Sequence, residues 1–563
     1  MSRPPAASRP ALVDRAGTLL LLAAVAWQLV QSTLPYDYLS VQVLAADDAF
    51  YYLTIVRNVV RLGWSTFDGM HAASGVQLLW SFLLAPFAWL VDDRMGLVRV
   101  VLVLCAALNL TTGLLLRRLA TRLHTPRTGE GAAAAWATVL MVWLTPSLTA
   151  MEYPLHTLLI VSTLLVWWPL VSAPETATRS RVAWLGVCLT LNYWTRLDSA
   201  YYSVLLAAVA AWQLGRRPAP LVGRRAEIAT LAAPIVAGAG GYALTCYLMA
   251  GTWTPISGIV KGLYASRYFA GQPWTTAWRE RVEWWFQIQA QPLVDLVATP
   301  LGVAAWGLRE KLVACAAGLL LAAWAAWRMW RRDPAGRPLA AVVGTLLVFG
   351  AGHVALVIAS VAHFSYVTRH YYGWTQVAWC LWFAYALSQL LDGLGERVRR
   401  PLVGAVAVAV VAAQVVAIGP RFDPEALEGL RAGRWRAMAW VTEHLPPGAP
   451  IGAWNAGQVA YFLDRPVVNL DGLVNDIHYV DVLRGERTLQ DYLQREGIHY
   501  LMDYNEVDLS MPYHAYWKRN ERFRNVLPWR DLTVLHVEPA GDRAVQVVEL
   551  TPGLGAPPAE ATP

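Results

Sequence analysis

Asp47 and Asp48 stand side by side in "AADDAFYYLTIVRNVVRLGW", Ala45 to Trp64, just beyond the first apolar run of the chain. Adjacent carboxylates suit two chemistries: one takes a proton as general base while the other orients it, or both give oxygens to a divalent cation. A hard cation wants several more oxygen ligands than a pair supplies, so no metal or other cofactor is expected, with a cation at Asp47 and Asp48 as the alternative. The structural alternative is that the pair simply caps a helix and favours its positive end. On a helix starting near Asp47, the residues Tyr51, Thr54, Asn58 and Arg61 share a polar stripe with it, and Tyr52, Leu53, Val56, Val59 and Val60 line the other side. Such a helix lies in a membrane interface rather than across the bilayer. Asp48 projects about 100° away from Asp47.

Other polar residues stand out against apolar surroundings. Glu152, in "AMEYPLHTLL", sits at the end of an apolar run, where burial costs on the order of a few kcal/mol, so a site or a partner is expected, with exposure in a short loop as the alternative. Lysine is scarce: Lys261, Lys311 and Lys518 are the only three. Lys261 in "GTWTPISGIVK", Arg196 in "TRLDS" and Arg369 in "TRHYYG" are candidate anion binders, arginine as a bidentate fork and lysine as a point charge. The plain alternative is snorkelling at helix ends, and Arg196 can also pair with Asp198. His71 borders a short apolar run, His353 reads as a packed polar side chain within a span, and no histidine forms a metal-ligand pattern such as HExxH.

The elements that must position these residues follow from composition. Of 563 residues 56% are hydrophobic and only 15% charged, and the mean hydropathy is +0.37. A soluble protein has about a quarter of its residues charged, so this is a polytopic membrane protein. The net charge of +7 comes from arginines clustered after alternate apolar runs, which points to cytoplasmic loops and not to a nucleic-acid partner. Five cysteines within or beside apolar runs, without CxxC, suggest neither disulfides nor a thiolate metal site.

Arginine placement requires a single span between the first run, Ala16 to Val30, read as a signal anchor with a cytoplasmic N-terminus, and the cluster that begins at Arg117. Gly75 to Val91 is short and contains Pro86, so it is expected to be re-entrant or surface-lying, and Val98 to Leu116 becomes the second span. The others are roughly Ala132 to Leu148, Leu155 to Val171, Val182 to Trp194, Ser203 to Gly215, Ile228 to Ala250, Leu312 to Trp327, Leu339 to Val361, Trp374 to Leu391 and Leu402 to Ile418. That gives about eleven transmembrane helices in residues 1–418, with a large first outer loop of surface helices at 33–97. After Pro420, "IGAW" and "VVNL" read as short strands flanking the helix "AGQVAYFL", so 419–550 is expected to be a small soluble α/β domain outside the membrane and 551–563 a disordered tail.

The acidic pair and loop helix "DDAFYYLTIVRN", continuing into "FDGMHAASGVQLLW", together with "AMEYPLHTLL", "TRLDS", "GTWTPISGIVK" and "TRHYYG", resemble the GT-C superfamily of membrane glycosyltransferases. That group includes protein O-mannosyltransferases and the transferases that add aminoarabinose to lipid A. The acidic pair there is usually Asp-Glu and the loop helix begins His-Pro-Pro, whereas here it is Asp-Asp and His71 precedes "AASG". The resemblance implies transfer of a sugar from a polyprenyl phosphate to an acceptor hydroxyl on a glycan, lipid or protein, at the outer face of a bacterial inner membrane. It implies Asp47 as the base with Asp48 orienting it, and Lys261, Arg369, Arg196, Glu152, His71 and Tyr371 around the donor phosphate and substrate. The alternatives are a lipid-linked sugar flippase or transporter, and a noncatalytic envelope assembly protein. No internal repeat supports the flippase.

Overall fold

The computed structural model describes residues 15–34, 47–141, 150–217, 220–268, 273–298, 308–360, 373–399, isolated positions between 401 and 408, 430–506, 532–540 and 543–550. Arg369 and Tyr371, most of the run Leu402 to Ile418, and the tail 551–563 lie outside the described residues.

The chain begins with α1 (Ala16–Ser32), α2 (Asp48–Leu62), α3 (Leu78–Leu90), α4 (Arg94–Leu123), α5 (Pro126–Met141), α6 (Tyr153–Ser172), α7 (Arg179–Thr195), α8 (Ala200–Gly215) and α9 (Leu221–Ala250). It continues through α10 (Ile256–Tyr268), α11 (Trp274–Ala298), α12 (Leu308–Arg332), α13 (Arg337–Ser360), α14 (Gly373–Asp392) and α15 (Leu430–His444). Within the described residues, the apolar runs read as spans between Ala16 and Leu391 fall on these helices, the run from Ala132 being described only as far as Met141. Arg94–Leu123, Tyr153–Ser172, Leu221–Ala250 and Pro334–Ile358 are long and apolar enough to cross a membrane by length and composition. At 13 residues with an internal Pro86, α3 is about 20 Å long, too short for a hydrocarbon core of about 30 Å. The large second outer stretch folds into α10 and α11. Trp285 on α11 donates its indole N–H to the carbonyl of Ala351 on α13 at 2.9 Å, so this indole packs on the bundle.

The C-terminal part contains β1 (Ile451–Ala453), α16 (Ala456–Phe462), β2 (Val467–Asn469), α17 (Ile477–Arg484), α18 (Leu489–Arg495), β3 (Tyr500–Glu506), β4 (Leu532–Ala540) and β5 (Arg543–Leu550). They form a mixed five-stranded sheet in the order β2-β1-β3-β5-β4. β1 pairs in parallel with β2 and β3, and β5 runs antiparallel to β3 and β4. The two short strands are buried at every position, as expected for "IGA" and "VVN" in a covered parallel sheet.

The sheet region shares its core with the first outer loop. Phe50, Leu53, Leu84 and Val98 belong to one cluster with Val441, Ile451, Val459 and Val467, and the Phe50 ring lies 5.3 Å from that of Tyr461. Ile256 and Val260 of α10 join Tyr479, Leu483 and Leu501 on another side. The first part of the expected polar stripe on α2 is therefore covered: every residue from Ala49 to Arg57 is buried, while Arg61 at its end is exposed. Its polar groups hold neighbouring chain instead. Asn58 donates to the carbonyls of Thr66 at 3.0 Å and Phe67 at 3.1 Å, and Arg57 donates to that of Asp92 at 2.8 Å.

Candidate active site

Two adjacent aspartates have divergent surroundings because a helix turns by about 100° per residue. Asp47 does not cap its own helix: its side chain makes no capping bond to α2. It binds the start of α16 instead, accepting the backbone N–H of Gly457 at 2.7 Å and of Gln458 at 2.9 Å. Arg434 of α15 adds a third donor at 2.6 Å, and its guanidinium is only 6% exposed. A side chain at 457 is excluded, since a Cβ there would stand 2.1 Å from the Asp47 carbonyl oxygen. Both Asp47 oxygens thus already face donors, and a cation shared with Asp48 would compete with Arg434.

Asp48 is exposed, although protein surrounds it closely. Burial raises its carboxyl to about 6, with Lys261 opposing the rise and the charges of Asp47 and Glu152 adding to it. Several chain segments meet beside this accessible carboxyl and form a recess around it. One turn on, Tyr51 donates its hydroxyl to Asp471 Oδ2 at 2.8 Å. On α10, Tyr264 lies one turn beyond the half-buried Lys261 and donates to the main-chain carbonyl of Asp471. The opposing wall is closed by backbone: a Cβ on Gly75 would fall 1.8 Å from the carbonyl oxygen of Leu473. Ser74 Oγ accepts the N–H of Ile256 at 3.3 Å. Segments 47–51, 74–75, 256–264 and 469–475 thus converge on one place.

The ArnT of Cupriavidus metallidurans bound to undecaprenyl phosphate is similar to this chain with TM-score 0.52 and 11% identity, over 94% of this chain and 98% of that one. The chain has a GT-C-like fold. The Archaeoglobus fulgidus oligosaccharyltransferase tethered with an acceptor peptide containing the NVT sequon gives TM-score 0.49 and 10% identity, over 90% of this chain and 71% of that one. Residues 426–548 match a family described as a domain of unknown function, DUF8728. No curated protein matches the sequence.

Within this GT-C-like frame the remaining predicted residues separate into groups. Glu152 and Arg196 are 1% and 2% exposed and bound to each other, Nη1 to Oε1, at 2.5 Å. Arg196 also donates to Asp198 at 3.1 and 3.3 Å, and His353 Nε2 stands 3.3 Å from the same carboxylate. The guanidinium is thus held between two carboxylates. His71 bridges Asp68 at 2.7 Å and Glu496 at 2.8 Å. Burial disfavours its charged form, but the hydrogen bond and charge of Asp68, then Asp476 and Glu496, outweigh this and push it up to about 9. His71 therefore clasps the first outer loop to the end of α18. Arg369 and Tyr371 lie outside the described residues, and among those residues no group of three or more His, Cys, Asp or Glu could hold a metal.

Sequence reasoning missed Asp471, Tyr264 and Arg434. A signal for Asp471 was present: it stands two residues beyond the end of the buried strand "VVN", and the carboxyl ends of parallel strands are where α/β sheets place binding residues. Nothing local marks Arg434 or Tyr264, whose partners are distant in sequence.

Proposed function

We propose that the protein transfers a sugar from a polyprenyl-phosphate donor to an acceptor hydroxyl, with inversion, and that Asp48 is the base. The observation that carries this is the accessible Asp48 carboxyl beside the place where these segments meet, with the Lys261 charge acting on it. The acceptor must lose its proton as the anomeric carbon becomes electron-poor, and an accessible carboxyl raised to about 6 is suited to take it. Lys261 is placed to meet charge developing on the leaving phosphate. Undecaprenyl phosphate bound to the ArnT of similar fold supports a lipid-linked donor. Asp47, engaged by Arg434 and two backbone N–H groups, orients the start of α2, and Arg196 and Glu152 hold each other. The chemistry assigned here uses no cofactor.

The same proposal includes about eleven spans in a bacterial inner membrane, a cytoplasmic N-terminus, and residues 419–550 as a domain on the outer side, where a lipid-linked donor presents its head group. The test is sugar transfer by purified protein offered a panel of polyprenyl-phosphate sugars with a membrane lipid and glycan extract as acceptors. Wild type should turn over, Asp48→Asn should not, and Lys261→Met should weaken use of the donor. Full activity in Asp48→Asn would remove it from the base role.

A further inference from the structure

The region that matches a family of unknown function meets the recess through the loop 470–476, which follows β2. Resting on the transferase reading above, we propose that Asp471 of this loop is the second carboxyl of the reaction centre, pairing with Asp48 to hold the acceptor hydroxyl and share its proton.

The geometry is specific to the two faces already described. Tyr51, one turn after Asp48, donates to Asp471 Oδ2 at 2.8 Å, and the N–H of Leu473 donates to Oδ1 at 2.8 Å. Asn469 also bonds this carboxylate, and three donors on two oxygens leave lone-pair capacity for a further one. Asn469 Nδ2 donates to the Tyr51 hydroxyl at 3.3 Å, so the bonds run Asn469 to Tyr51 to Asp471 and fix the phenol as donor. The loop itself is pinned. Tyr264 holds the Asp471 carbonyl, Tyr479 donates to the Leu470 carbonyl at 2.6 Å, and Asn475 donates to that of Asn469 at 2.7 Å. The close approach of Gly75 to Leu473 leaves no room for the loop to shift inward. Two turns of helix that carry Asp48 and Lys261 thus also carry the tyrosines that aim Asp471.

The electrostatics agree with this placement. Burial lifts the Asp471 carboxyl to about 7; the bonds from Leu473, Tyr51 and Asn469 restrain the rise, and the charge of Asp48 adds to it. Two such carboxyls titrate as a pair that retains a proton near neutral pH. In the transfer step the acceptor oxygen bonds to the anomeric carbon. The bond from that carbon to the phosphate oxygen breaks, its electron pair leaving on the polyprenyl phosphate, and the acceptor proton passes to the ionised carboxylate of the pair.

Two measurements test the pairing. In transfer assays, Asp471→Asn should lower kcat on the order of 10²-fold with the donor KM little changed, the range of a lost acid–base group. Tyr51→Phe, which removes a bond that favours ionisation, should move the acid limb of the pH–rate profile to higher pH, a change that a merely structural role would not produce. Independently of turnover, carbodiimide labelling read by peptide mass spectrometry reports protonated carboxyls. The pH of half-labelling at Asp471 should fall in Asp48→Asn. Wild-type kcat and pH profile in Asp471→Asn would overturn the proposal, as would half-labelling at Asp471 that ignores Asp48→Asn. Coupled labelling in a wild-type protein that turns over no donor supports the pair and counts against the transferase reading alone.

Discussion

Replacing Asp47 should loosen the sheet domain from α2 before it affects any chemical step. The carboxylate is 17% exposed and Arg434 is 7% exposed at the side chain, so the pair at 2.6 Å is poorly screened. Removing one partner of such a pair leaves a buried charge uncompensated, at a cost of roughly 3–5 kcal/mol. The two lost bonds to Gly457 and Gln458 belong to the same network and are not added separately. At about 1.4 kcal/mol per tenfold, Asp47→Ala should raise the population with residues 430–506 undocked by roughly 10²-fold to 10³-fold or more. Limited proteolysis in detergent micelles reads that population directly, and a cycle with Arg434→Ala should show a coupling of at least about 1 kcal/mol. Unchanged proteolysis in Asp47→Ala would refute the docking role. Loss of transfer in Asp47→Asn with the domain still docked would return the base to Asp47.

Other consequences are open to direct measurement. Transfer should rise with pH through about 6 as Asp48 ionises, and the rise should vanish with the activity in Asp48→Asn; a flat profile across that range would contradict the assignment. His71, raised from 6.5 to about 9, binds its proton more tightly folded than unfolded, so its stabilisation is complete below about 6.5 and is lost as pH rises through about 9. Hydrogen exchange in 489–496 should therefore quicken above pH 9 in wild type, and His71→Gln should show the faster exchange already at neutral pH. Gly75→Ala and Gly457→Ala should each destabilise by about 1–3 kcal/mol or more through backbone overlap. Gly223→Ala, in open space on α9, should instead stabilise by a few tenths to about 1 kcal/mol, which thermal unfolding would distinguish.

What the sequence determined by itself was local. Leu155 to Val171 becomes Tyr153–Ser172 and Ser203 to Gly215 becomes Ala200–Gly215, because an apolar run of helix-forming residues satisfies its own backbone bonds and needs no distant partner to declare itself. The strands "IGA" and "VVN" and the helix between them were legible from short apolar runs with Gly and Pro marking their limits, although their pairing in the sheet was not. Also legible was that Glu152 stands where charge is costly, and it is buried against Arg196. Which face of the pair is exposed and which is spent on packing was decided only by tertiary structure. Asp47 meets Arg434 across 387 positions, and Tyr51 meets Asp471 across 420. Partners so far apart leave no periodicity in the chain. Their geometry exists only once the sheet domain buries Ala49 to Arg57, because that burial turns a stripe suited to water into the wall of a recess.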